Sequence, residues 1–222
     1  MKKIGFIGIG LMGLPMAKNL LKAGYELKAF NRTESKAEPL KEFGGKISKS
    51  IEEVVSDNDV VITMLTDDSS VDAVMNSREF LDNLKVDATV IDMSSVKPTT
   101  AISHGNNLKS KNINYLDSPV SGGTIGAEDA SLAIMVGGEQ KIFDDVSDVL
   151  KVGLEIRISV TVSFHKVFGM SLVINTVDPS TILGDIEKQK VATRKKLQTE
   201  GLMDLQSNLY FGPINKRIAL IG

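Results

Sequence analysis

Two kinds of segment, distinguished by their pattern of apolar and polar residues, alternate over the first 150 positions of the chain. Short apolar runs, which are typical of buried strands, are followed by amphipathic stretches whose apolar residues recur at helical spacing. The runs predict strands at 4–7, 27–30, 46–48, 59–65, 89–93, 114–117 and 131–136. The amphipathic stretches predict helices at 14–23, 34–43, 69–84 with a break near 76–77, and 139–150. Two more helices are expected: one begins at a capping box formed by Ser50 and Glu53, and the other ends near residue 111. This alternation predicts an α/β fold with a doubly wound, mostly parallel sheet.

A glycine-rich turn joins the first predicted strand to the first predicted helix. Its spacing, Gly8-x-Gly10-x-x-Gly13, lies between two strands and opens a helix, which is the context of a dinucleotide-binding fingerprint. Gly8 permits a tight turn, Gly10 lets the backbone approach a pyrophosphate, and Gly13 lets the helix pack on the strand. An anion would be stabilised at the helix N-terminus. An ordinary βα turn is the alternative. We therefore expect a Rossmann-like domain whose cofactor contacts Gly8, Ile9, Gly10, Leu11, Met12 and Gly13.

The end of the second strand indicates which dinucleotide is bound. An acidic residue there would bind the ribose 2′-hydroxyl of NAD, but this chain has Asn31, Arg32 and Thr33. A guanidinium beside a hydroxyl suits a 2′-phosphate, so we expect NADP(H) rather than NAD(H). A solvated surface arginine is the alternative interpretation.

Other residues at predicted strand ends could line the same crevice, because the carboxyl ends of parallel strands face the ligand in open α/β sheets. Met64 and Leu65 follow one strand, and Ser94 and Ser95 follow the next. Simple packing explains Met64 and Leu65 equally well. Thr99 could cap the helix that follows.

Composition narrows the function classes. The chain has a net charge of −2, 42% hydrophobic and 24% charged residues, which gives no case for nucleic acid or an anionic membrane as a partner. It has no cysteine, so disulfides, thiolate metal sites and a cysteine nucleophile are excluded. Its two histidines, His104 and His165, are far apart, so we expect no metal site, and His104 is expected on a helix surface. No run has membrane-spanning length and no secretory signal is recognisable, so we expect a cytoplasmic enzyme.

Three segments together carry the motifs of a known enzyme family. They are 5–17, 31–33, and 117–123 with 126–127 and 134–138. Over about residues 1–150 the chain resembles the β-hydroxyacid dehydrogenases, which include 3-hydroxyisobutyrate dehydrogenase, tartronate semialdehyde reductase and the glyoxylate/succinic semialdehyde reductases. The cofactor domain of 6-phosphogluconate dehydrogenase is a relative.

This resemblance implies the reaction and its substrate site. It implies hydride transfer between NADP(H) and a small 3-hydroxy acid or semialdehyde, with the substrate carboxylate bound at Ser121, Gly122 and Gly123. A hydroxyl beside exposed glycine N–H groups can form such an anion nest, and the same residues also make a tight turn. The resemblance also places Met64, Leu65, Ser94 and Ser95 along the cofactor.

The resemblance implies a catalytic lysine in a Gly-rich helix start, with an asparagine four residues later. The segment 169–175 is similar, but it has Ser171 at the lysine position and keeps Asn175. A serine has no suitable pKa for this proton transfer. Lys166 is the nearest substitute, although five residues exceed one helical turn, so it would not point the same way.

The last third of the chain departs from the family. Residues 156–162 alternate like a strand, 185–206 could form a charged helix, and 208–222 match nothing. The family's all-helical second domain, which closes the cleft and makes the homodimer, is not recognisable. We expect an NADP-binding domain at 1–162 and a short, atypical, truncated or diverged segment at 163–222. We hypothesise a truncation or frame-shift, which the other reading frames of the coding DNA would test. A non-catalytic NADP-binding domain is the alternative function.

Overall fold

A six-stranded parallel sheet forms the centre of the protein. The computed structural model describes residues 1–152 and the backbone of two short strands near the C-terminus. The sheet has the order β3-β2-β1-β4-β5-β6, and every neighbouring pair is parallel. Its strands are β1 (Lys3–Ile7), β2 (Glu26–Phe30), β3 (Lys46–Ile47), β4 (Val60–Thr63), β5 (Thr89–Asp92) and β6 (Asn114–Asp117). This order is that of a Rossmann-like fold, and it confirms the expected doubly wound sheet.

Helices cover both faces of this sheet. They are α1 (Gly13–Lys22), α2 (Ile51–Val55), α3 (Asp68–Met75), α4 (Arg78–Leu81), α5 (Pro98–Ser110), α6 (Gly123–Glu128) and α7 (Gln140–Lys151). A short antiparallel pair, β7 (Val120–Ser121) with β8 (Ala133–Ile134), flanks α6. A second antiparallel pair joins β9 (Leu209–Tyr210) to β10 (Ala219–Leu220).

The core consists of two apolar layers, one on each face of the sheet. In one layer, Phe6 and Ile62 of the sheet pack with buried residues of α1 and α7, such as Leu20 and Val149. The other layer lies under α2, α3, α4 and α5. Its buried residues are Ile7, Val54, Val55, Val61, Val71, Met75, Phe80, Val90, Leu108 and Ile113. Because both faces are covered, the central strands are mainly apolar on both sides.

Several local predictions are confirmed. The Ser50 hydroxyl caps α2 by accepting from the Glu53 amide at 3.1 Å. The predicted break at 76–77 separates α3 from α4, where Ser77 accepts from the amide of Phe80 at 3.2 Å.

Four local predictions are wrong. The helix expected at 34–43 is two 3-10 helices, Glu34–Lys36 and Glu38–Phe43, because Pro39 lacks an N–H and disfavours an α conformation before it. The strand expected at 131–136 shortens to β8, because its partner β7 has only two residues. Thr99 is no cap, since Lys97 is the N-cap and Pro98 opens α5.

The fourth wrong prediction concerns His104. It is 1% exposed instead of lying on the surface. Its Nε2 is 2.8 Å from Asp72 Oδ1, because α5 packs with this side toward α3. The expectations on Lys166, Ser171, Asn175, 156–162, 185–206 and the boundary at 162 lie outside the described residues.

Candidate functional site

The glycine-rich turn has a different constraint at each glycine. Gly8 has φ of +101°, and a Cβ there would collide with the carbonyl oxygen of Met64. A Cβ on Gly13 would collide with the carbonyl oxygen of Gly8. A Cβ on Gly10 would meet no protein atom within 4 Å. Gly8 and Gly13 are therefore required by the packing of the protein, whereas Gly10 borders open space.

The N-terminus of α1 lies directly beside that open space. Its N-cap, Met12, makes no side-chain capping bond, and its first turn has no acidic residue. Leu14 donates its amide to the Gly10 carbonyl oxygen at 3.0 Å, while the amides of Leu11 and Met12 have no acceptor within residues 1–152. Free amides at a helix N-terminus are suited to an anion. The Leu11 side chain is 84% exposed over this end.

Asn31 connects the turn to the end of β2. Its Oδ1 accepts from the Ile9 amide at 3.0 Å, and its Nδ2 donates to the Thr33 carbonyl oxygen at 2.8 Å. Arg32 and Thr33 are exposed next to it. The Arg32 guanidinium is free of hydrogen bonds and ion pairs to the other described residues. The structure thus brings 8–13 and 31–33 to one edge of the sheet.

The ends of β4 and β5 meet at the same edge. Met64 and Leu65 are partly buried, Ser95 is exposed, and Ser94 is fully buried. The Ser94 Oγ accepts from the Leu65 amide at 2.9 Å, so the two strand ends are joined by a hydrogen bond.

Sequence reasoning missed Asp92, a fully buried carboxyl group behind these strand ends. Its Oδ1 accepts from Thr63 Oγ1 at 2.8 Å and from the Ser94 amide at 3.0 Å. Burial raises the pKa of Asp92, and hydrogen bonds from Ser94 and Thr63 oppose that rise. The signal in the sequence was one acidic residue inside the apolar run 89–93.

Residues Ser121, Gly122 and Gly123 follow β6 through a short turn. All three are exposed. Gly122 has φ of +136° and Gly123 has φ of +63°, and a Cβ on Gly123 would meet nothing within 4 Å. Asn19 Nδ2 donates to the Ala127 carbonyl oxygen at 2.8 Å, so α6 packs beside α1. This arrangement places an exposed hydroxyl and glycine amides in a segment that packs against the helix of the glycine-rich turn.

Asp117 precedes this segment and is paired in register with Asp92. Burial, and secondarily the nearby Asp92 carboxylate, raises the pKa of Asp117 to about 7. The folded state therefore keeps a proton that the unfolded chain releases near pH 4.

A pH dependence of stability follows from Asp117. Since its pKa is higher in the folded state, its contribution is complete near pH 4 and is lost as pH rises through about 7. A shift of roughly three units corresponds to a loss on the order of 4 kcal/mol. Between pH 5 and pH 8, urea unfolding should show roughly 2.6 kcal/mol of this loss in the wild type, because the unfolded chain has already released most of this proton by pH 5. The loss should be much smaller in Asp117→Asn. Glu128→Gln, at an exposed carboxylate of α6, is the control for charge removal. Equal losses in all three proteins would contradict the assignment.

Residues 1–152 contain no cluster of three or more His, Cys, Asp or Glu side chains able to hold a metal ion. In the same part of the chain, every helix is too short or too polar to cross a bilayer. The candidate catalytic residues Ser171, Asn175 and Lys166 lie outside it.

Known proteins are similar in sequence and in fold to the first two thirds of the chain. Residues 3–159 match the model of the NAD binding domain of 6-phosphogluconate dehydrogenase. The chain is 39% identical over 151 residues to 2-(hydroxymethyl)glutarate dehydrogenase of Eubacterium barkeri, covering 68% of this chain and 50% of that protein. It is 37% identical over 150 residues to mitochondrial 3-hydroxyisobutyrate dehydrogenase of Drosophila melanogaster, covering 68% of this chain and 46% of that protein.

A solved structure agrees with these sequence matches. The Mycobacterium tuberculosis 3-hydroxyisobutyrate dehydrogenase, determined with L-serine, superimposes with a TM-score of 0.67 at 34% identity. The match covers 69% of this chain and 52% of that structure. The chain thus spans about half the length of the relatives it matches.

Proposed function

The chain belongs to the family of the NAD binding domain of 6-phosphogluconate dehydrogenase, and from this premise we propose that it binds NADP(H) as the cofactor domain of a β-hydroxyacid dehydrogenase or reductase. The observation that supports this most is the open space at Gly10. It lies beside the uncapped N-terminus of α1 and at the point where the strand order reverses, between β1 and β4. Ligands of open α/β sheets bind at such a switch point.

The residues present fit a dinucleotide. Leu11 and Met12 offer free amides to a pyrophosphate. Asn31 holds the turn in place through its bond from Ile9. Met64, Leu65 and Ser95 lie at the neighbouring strand ends, where the nicotinamide side of the cofactor would be. When bound, the cofactor supplies or accepts the hydride.

Arg32 is proposed to select NADP(H) over NAD(H). Its exposed guanidinium lies at the end of β2, where the adenosine ribose of a bound dinucleotide is expected. We expect Arg32→Ala to weaken NADPH binding about 10- to 100-fold, because a charge-assisted hydrogen bond to a phosphate contributes roughly 1.5–3 kcal/mol. NADH binding should be unchanged. Fluorescence titration with each cofactor measures both.

The matched control for this titration is Arg78→Ala, which removes the same charge from an exposed position on α4. It should leave both affinities unchanged. A wild-type protein that prefers NADH, or an Arg32→Ala variant that loses both cofactors equally, would contradict the role of Arg32.

The proposed substrate is a small carboxylate, a 3-hydroxy acid or semialdehyde. Ser121, Gly122 and Gly123 would bind its carboxylate through one hydroxyl and the glycine amides, which suits an anion. We propose that proton transfer to the substrate oxygen falls to the 166–175 segment. Ser171, at the position taken for the family's lysine, has no suitable pKa, so Lys166 is the ionisable candidate in this segment, and Asn175 keeps the place of the family's asparagine.

A non-catalytic NADP-binding domain is the second candidate function, and the observation that favours it is Ser171 itself. A turnover assay with NADPH and small semialdehydes separates the two. Consumption of NADPH would support the enzyme, and tight NADPH binding without consumption would support the binding domain. A protein that binds neither cofactor would contradict both.

A further inference from the structure

The last rung of the sheet, on the face covered by α3 and α5, has polar side chains on three of its four strands. In register across this rung stand Ile7, Thr63, Asp92 and Asp117, from β1, β4, β5 and β6. One rung lower on the same face are Val61 and Val90. The polar rung lies directly under the edge where the cofactor is proposed to bind.

Asp92 is the centre of a hydrogen-bond network on this rung. One oxygen, Oδ1, accepts from the hydroxyl of Thr63 at 2.8 Å and from the amide of Ser94 at 3.0 Å. Ser94 in turn accepts from the amide of Leu65 at 2.9 Å through its hydroxyl. The network therefore joins the last residue of β4, the last residue of β5, and the segment that follows each strand.

A carboxyl group in this position destabilises the fold. Asp92 and Ser94 are both 0% exposed, and burying a carboxyl group without full hydrogen bonding costs free energy. The second oxygen of Asp92, Oδ2, has no hydrogen-bond partner within residues 1–152. An apolar side chain would fill the same volume without this cost, so packing alone does not account for an aspartate here.

We propose that Asp92 is a positioning residue for the dinucleotide: it orients Ser94, which holds Leu65, and so sets the spacing between the segments 64–65 and 94–95 on the cofactor edge. This rests on the proposed function, because those two segments are taken to line the cofactor. Asp92 itself does not touch the ligand. Its effect should be equal for NADPH and NADH, since the 2′-phosphate lies at the other end of the crevice, near Arg32.

The test is a fluorescence titration of NADPH and NADH against the full chain and its variants. We expect Asp92→Ala to weaken binding of both cofactors about tenfold. Asp92→Asn keeps an oxygen at the Oδ1 position and should restore binding to within about threefold of the wild type. Ser94→Ala should match Asp92→Ala, and the double variant should be no weaker than either, because both changes break one network.

A matched control separates positioning from general weakening of β5. Thr89 is a buried polar residue at the opposite end of that strand. Thr89→Ala should lower the unfolding temperature and leave both affinities unchanged, when titrations are run well below unfolding. If Asp92→Ala does not fold, Asp92→Asn and Ser94→Ala carry the test.

The outcomes distinguish the role of Asp92 from the proposed cofactor binding on which it rests. A wild type that binds neither cofactor overturns the proposed function and the role of Asp92 with it. A wild type that binds, with Ser94→Ala and Asp92→Ala binding equally tightly, overturns only the role of Asp92. Losses in the two single variants that add in the double variant would also overturn it.

Discussion

Gly10→Val is expected to remove NADP(H) binding and to leave the protein folded. A Cβ at this position meets no protein atom within 4 Å, and the backbone of Gly10 is outside the positive-φ region, so valine fits the folded chain. Its methyl groups would fill the space in which the pyrophosphate approaches the backbone. We expect affinity for NADPH and NADH to fall by at least about 100-fold, or roughly 2.7 kcal/mol.

Cofactor titration and thermal unfolding of the same preparations measure this result. Gly10→Ala should give an intermediate loss, because one methyl group fills less of the space. Ala73→Val adds similar bulk at an exposed position on α3 and should change neither property. Binding by Gly10→Val with wild-type affinity would show that the cofactor does not approach Gly10.

Gly13→Ala is expected to destabilise the fold even though alanine is the better helix former. The new Cβ would collide with the carbonyl oxygen of Gly8 and lie 3.2 Å from Cε1 of Phe6. Neither group can move freely, since Gly8 is in a turn of positive φ and Phe6 is in the core. Overpacking of this kind costs about 1–3 kcal/mol, against a gain of roughly 1 kcal/mol in helix propensity. Because the closest contact is a collision with a backbone carbonyl, the upper end of that cost applies, and we expect a net loss of about 2 kcal/mol.

Urea unfolding of Gly13→Ala beside Gly105→Ala tests this reasoning. Gly105 lies inside α5, where a Cβ would meet only the Tyr115 ring, at 3.2 Å. A side chain can adjust by a few tenths of an ångström more easily than a backbone carbonyl. Gly105→Ala should therefore stay within about 1 kcal/mol of the wild type. A Gly13→Ala protein as stable as wild type would mean that α1 can shift away from β1.

The sheet was predictable because its strands carry a strong local signal. The central strands β1, β4 and β5 are buried on both faces and read as short, mainly apolar runs. Six of the seven predicted strands became the strands of the parallel sheet. The glycine-rich turn was predictable for a related reason: its spacing between a strand and a helix has few structural solutions. Its separate constraints at Gly8, Gly10 and Gly13 follow from which atoms surround each one.

Two local predictions were wrong because a neighbour in space outweighed the pattern, and a third because a proline inside the predicted helix outweighed the spacing. His104 reads as polar on its helix, but α5 packs against α3 and gives it a partner in Asp72. The run at 131–136 reads as a strand, but pairing extends only as far as β7 does. In the range 34–43, the helical spacing of apolar residues concealed the effect of Pro39.

The sequence by itself determined the class of fold, the position of the glycine-rich turn and the residues beside it, because each depends on neighbours within about thirty positions. The tertiary structure alone decided the polar rung beneath the site. Thr63 and Asp92 are 29 positions apart, and they meet only because β4 and β5 pair in one register. A slip of one residue would turn Asp92 to the opposite face of the sheet. The same register puts Asp117 beside Asp92, whose charge adds to the rise in the pKa of Asp117 that burial produces. Both the polar rung and the raised pKa depend on how the strands pair, and no local pattern of residues encodes that pairing.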